Sequence, residues 1–133
     1  MIQNIPPELT KGINHAVLEY IAHKSAHSDV GDALMAAAKP LGDVQLFCPN
    51  WQQYHYVVAS TKGIIFGVAM GMNEVAFRLD ERLRSRALAT GGAALPECGA
   101  EWVAFVLFRD DWPKVDLEFW ARKAYVHARE IGS

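Results

Sequence analysis

Apolar positions in the first part of the chain recur at helical spacing. Leu9, Ile13, Ala16 and Tyr20 form one stripe, extended by Val17 and Ile21, and Pro6-Pro7-Glu8 reads as a helix start. This period predicts a helix from about Pro7 to Ala26. Ser28 or Asp29 can cap a second, alanine-rich helix from Val30 to Lys39, closed by Pro40 and Gly42. The two are expected to form a helical hairpin. After Gly42 the period shortens. Strands are predicted at Val44–Cys48, Tyr54–Ser60, Ile64–Met70 and Glu74–Leu79, separated by turn signals such as Thr61-Lys62-Gly63 and Gly71-Met72-Asn73. Short turns between the last three imply an antiparallel meander. Asp80 can cap a short helix, Glu81–Ala89, and Thr90-Gly91-Gly92 ends it. A loop containing Pro96 follows. Trp102–Phe108 is apolar on both faces, which predicts a central strand of the sheet, covered on both sides. Asp111 and Pro113 open a final helix, about Lys114–Ile131. The fold class expected is α+β: a single domain spanning residues 1–133, with a mostly antiparallel sheet of about five strands flanked by helices.

The last helix carries two apolar faces. Leu117, Trp120, Ala121, Ala124, Ala128 and Ile131 share one, and small alanines there allow close approach to a sheet. Val115, Phe119 and Val126 lie opposite, with Arg122 among them. A helix packed on one layer needs only one stripe. The second requires a cover: the N-terminal hairpin, a protein partner or a second copy of the chain.

The chain has 133 residues, 51% of them hydrophobic and 21% charged, with a net charge of −2. That composition fits one folded domain with an adequate core and gives no support to nucleic acid or an anionic membrane as partner. The longest apolar run, Val103–Phe108, is far below the ~20 residues that span a bilayer. No secretory leader is legible, and two distant cysteines, Cys48 and Cys98, are expected to stay reduced, so a cytoplasmic setting is expected. Walker, GxGxxG, GxSxG and HExxH motifs are absent.

Four groups of residues carry candidate chemistry. His15, Glu19, His23 and His27 are spaced by four, with Asp29 beyond, and such a stripe can grip a metal. Without a fuller ligand set it reads instead as a solvated helix flank, so no metal or cofactor is expected. A hairpin could bring Cys48 near His55, the beginning of a thiol nucleophile, but no orienting group or oxyanion hole is visible. Trp51, Tyr54 and Tyr56 suit a contact surface, since tyrosine and tryptophan give large area at low rotamer cost. Arg78, Arg82, Arg84 and Arg86 could hold a phosphate or carboxylate, or pair with Asp110, Asp111 and Asp116.

These features point to a small binding or interaction module without catalytic activity, working as a homodimer through Val115, Phe119, Arg122 and Val126. The alternative is a small-molecule pocket or weakly signed enzyme lined by Trp51, His55, Arg78 and Trp102, with Tyr54 and Tyr56 as further binding residues.

Overall fold

The computed structural model describes residues 5–22, 24, 26, 28–48, 56–107 and 115–132. The chain is α+β. Helices α1 (His15–Ile21) and α2 (Ser28–Ala38) precede strands β1 (Gln45–Phe47), β2 (Val57–Thr61), β3 (Ile64–Met70) and β4 (Glu74–Arg78). Helix α3 (Glu81–Ala89), strands β5 (Ala93–Ala94) and β6 (Trp102–Val106), and helix α4 (Leu117–Gly132) complete it. The strands form one sheet in the order β1-β2-β3-β4-β6-β5, with every neighbouring pair antiparallel. The meander is therefore as expected. The sixth strand is the two-residue β5, which lies in the segment expected to be a loop. β6 is interior, as its two apolar faces require, but the centre of the sheet is β3 and β4.

Strand alternation assigns the two faces of the sheet. The β4–β6 register puts Val75, Phe77, Val103 and Phe105 on one face and Ala76, Arg78, Trp102 and Ala104 on the other. The first face is covered by α2 and α4. Trp120 packs on Phe105 with ring centroids 5.4 Å apart. Leu34 reaches the place where a side chain at Gly67 would stand, so this glycine makes room for α2. The alanine stripe of α4 is buried, and α2 lies beside that helix on β2 and β3. The N-terminal segment meets the other face through Asn14 and Ile13, which bond β3 and Arg78. Thus the two N-terminal helices flank the sheet but have different neighbours.

The first helix is shorter than its apolar period predicts. Pro7–Thr10 and Gly12–Asn14 are 3-10 turns, separated by Lys11 in an extended conformation. Only then does α1 begin. The interruption has a physical reason in Asn14, which is fully buried. Its Nδ2 donates to the carbonyls of Leu9 (3.0 Å) and Gly63 (2.8 Å), and its Oδ1 accepts from the Ile65 amide (3.0 Å). Lys11 Nζ donates to the Lys62 carbonyl at 3.0 Å. The β2–β3 turn at Lys62-Gly63 has positive φ at both residues, as a two-residue hairpin needs. A Cβ at Gly63 would stand 2.8 Å from the Glu8 carbonyl. The close approach of the N-terminal segment to this turn therefore requires glycine.

At the other helix ends the local chemistry decides. Asp80 caps α3, its side chain accepting from the Leu83 amide. The final helix begins at Leu117 rather than Lys114, because Asp116 Oδ1 accepts from the Phe119 amide at 3.0 Å and acts as the cap. Asp111 and Pro113 lie outside the described residues.

Asn14→Ala would strand the buried Ile65 amide and Gly63 carbonyl, each costing about 1–3 kcal/mol when unpaired. We expect urea unfolding to show a loss of about 3 kcal/mol with the fold retained. A loss under about 0.5 kcal/mol would refute the stapling role of this residue.

Candidate functional site

Two neighbourhoods concentrate the polar chemistry. The first is at the end of the sheet. Arg78, only 3% exposed, donates from Nε to the Ile65 carbonyl (2.8 Å) and from Nη2 to the Ile13 carbonyl (3.2 Å). Its Nη1 lies 3.1 Å from Glu101 Oε1. The second oxygen of Glu101 lies 2.7 Å from Nε2 of His127 on α4. The guanidinium also sits over the Trp102 ring, 5.1 Å from its centroid. Burial pushes the Glu101 carboxyl up, but hydrogen bonds and charge from His127 and Arg78 outweigh it and hold the group below its ordinary value. Burial pulls Arg78 down, opposed by the Glu101 bond and charge. The three guanidinium nitrogens of Arg78 and both oxygens of Glu101 are engaged with other parts of the fold, so their chemistry is that of an internal joint.

The second neighbourhood is the junction of α3 and α4. A cleft of about 250 Å³ is lined by Arg86, Thr90, Phe105, Val115, Asp116, Phe119 and Trp120. Phe119 meets Trp120 edge-on at 4.9 Å. Arg86 lies 5.0 Å and Lys123 5.5 Å from the centroid of the Phe119 ring. Neither cation has a carboxylate partner among the described residues. The ring is half-buried, Val115 likewise, while Arg122 and Val126 are exposed, Val126 at 46%.

The sequence-predicted residues are distributed unevenly over these places. Arg78 and Trp102 are brought together, but both are buried and face the core. The indole Nε1 of Trp102 finds no hydrogen-bond partner among the described residues. Tyr56 is buried too, its hydroxyl pushed up to about 12 by burial and by Cys48. Trp51, Tyr54 and His55 lie outside the described residues, as do His23, His27, Asp110 and Asp111. His15 and Glu19 pair at 3.2 Å on an exposed helix flank, as their spacing implies. Among the described residues no three His, Cys, Asp or Glu side chains group as metal ligands. Both cysteines are buried and unbridged, and burial, with Glu97 and Glu74, pushes the Cys98 thiol up to about 12. That thiol is a poor nucleophile at neutral pH. In the arginine cluster, Arg78 is an internal residue, whereas Arg82 and Arg86 are exposed on α3.

Sequence reasoning missed Asn14, Glu101 and His127. One signal was available for Glu101. It immediately precedes Trp102, the residue that pairs with Arg78 in the sheet register. Among the described residues no helix is long and apolar enough to cross a membrane. Comparison with protein-family models, with curated proteins and with solved structures yields no match.

Because the folded Glu101 carboxyl titrates below its ordinary value of 4.5, its contribution to stability is fully present above that pH. It is lost as pH falls through the lower folded value. Glu101→Gln should therefore reduce stability at neutral pH and flatten the acid limb, the two proteins converging in strong acid. Parallel stability curves between pH 7 and pH 2 would show that the carboxylate charge carries no such linkage.

Proposed function

We propose that this protein is a non-catalytic interaction module that self-associates through the outer face of α4 and works as a cytoplasmic homodimer. The observation that carries the reading is the second stripe of α4. Its inner stripe, Trp120, Ala121, Ala124 and Ala128, is fully engaged with the sheet. On the opposite side Phe119 is half-buried against Trp120, Arg86 and Lys123, and Val126 remains open to solvent. The half-buried Phe119 and the exposed Val126 together offer apolar area that a second copy would cover. Two buried, unbridged cysteines support the reducing compartment.

The cleft favours a second reading. Arg86 and Lys123, with no carboxylate partner among the described residues, flank one aromatic ring beside Phe105 and Trp120, and with Asp116 on the rim they suit a small aromatic ligand that carries an anionic group. This reading is compatible with a monomer, so solution mass separates the two.

Phe119→Asp tests the first reading. We expect light scattering to show a dimer for the wild-type chain and a monomer for the variant, with unchanged circular dichroism. A wild-type chain that is monomeric at high concentration would refute self-association.

A further inference from the structure

Resting on the reading of the α3–α4 cleft as a ligand site, the polar groups on its walls narrow what it holds. Its volume of about 250 Å³ lies below the ~300–1,000 Å³ of sites for drug-sized molecules. That leaves room for one aromatic ring with a short polar end. Val115 and Phe119, both half-buried, join the buried Phe105 and Trp120 as apolar walls. Three polar side chains share the lining: Arg86, Thr90 and Asp116.

Each of the three has a defined spare capacity. Arg86 lays its guanidinium over the Phe119 ring, 5.0 Å from the centroid. Stacking uses the flat face and leaves the N–H edge, which no acceptor among the described residues takes. Thr90 gives its hydroxyl proton to carbonyls of its own helix, Arg86 at 3.2 Å and Ala87 at 3.1 Å, so toward the cleft it can only accept. Asp116 spends Oδ1 on the Phe119 amide at 3.0 Å, which fixes the carboxylate in place and leaves Oδ2 free among the described residues. The lining thus offers one forked cation and two acceptors, one of them charged. A ligand that is only an anion would meet Asp116 as a like charge. A ligand with a carboxylate and an ammonium satisfies every group.

We propose that the cleft binds a free aromatic amino acid. The ring packs on Phe119 and Val115, the carboxylate takes the Arg86 fork, and the ammonium donates to Asp116 Oδ2 and the Thr90 hydroxyl. Only the free amino acid carries both charges beside one ring; a residue at either end of a peptide keeps one of them.

Isothermal titration of the full chain with L-phenylalanine is the test. Phenylpropanoate, which lacks the ammonium, and L-phenylalaninamide, which lacks the carboxylate, should each bind at least about tenfold more weakly. Asp116→Asn keeps the helix cap, since asparagine caps as well as aspartate. It should weaken L-phenylalanine at least about tenfold, while phenylpropanoate, relieved of a like charge, binds as before or more tightly. Arg86→Gln should weaken both. If phenylpropanoate matches L-phenylalanine and Asp116→Asn changes neither, the amino-acid assignment is overturned while the aromatic-anion reading of the cleft stands. If neither compound binds at millimolar concentration, or if Arg86→Gln alters the binding of neither, the cleft reading falls and the assignment with it.

Discussion

The fold depends on how the backbone of Ile65 is satisfied. The β3–β4 ladder ends at the Gly67–Phe77 pair, while β3 continues beyond it toward the hairpin turn. Ile65 therefore has no strand partner on that side, yet it is completely buried. A buried amide and carbonyl without partners would each cost on the order of 1–3 kcal/mol. Two side chains take the place of the missing strand. Asn14 accepts from the Ile65 amide and Arg78 donates to its carbonyl. The arginine brings a charge into the interior, and a buried charge must itself be paired. Glu101 supplies the counter-charge, and His127 holds the far oxygen of that carboxylate. One unfinished ladder thereby ties the N-terminal segment, β3, β4, the start of β6 and α4 to a single point.

This joint also fixes how α4 lies on the sheet. His127 anchors one flank of the helix to Glu101. Arg129 anchors it near the hairpin turn through Asp43 (2.8 Å) and the Thr61 hydroxyl (3.1 Å). Between these points the alanine stripe allows close contact, and Trp120 fills the space over Phe105. A helix held so firmly on its inner side needs nothing from its outer stripe. Arg122 and Val126 are exposed on that outer side, and the proposed self-association draws on this surface.

The elements governed by local chemistry were legible in the sequence. Ile64–Met70 is a continuous apolar run bounded by turn residues, and α3 has its aspartate cap and glycine stop. The buried face of α4 was equally plain from its period. The first helix misled because Leu9 and Val17 keep helical spacing and are indeed buried, while the break at Lys11 is imposed from outside by the hairpin turn. Periodicity reports which side chains face the core; it does not report a tertiary bond that outweighs helix continuation. Arg78 and Trp102 were singled out for the right adjacency and the wrong environment. Glu101 is marked only by its adjacency to Trp102, and His127 is a single residue far from Arg78 along the chain that no short-range pattern ties to it. β5 is only two residues long, too short to carry any period.

Native-state hydrogen exchange of a Glu101→Gln variant tests the central claim, that one carboxylate couples the N-terminal segment to the C-terminal helix. The account predicts faster exchange in both places together, at the Ile65 amide beneath Asn14 and in the second half of α4 around His127. Acceleration confined to only one of these regions, or to neither, would contradict it.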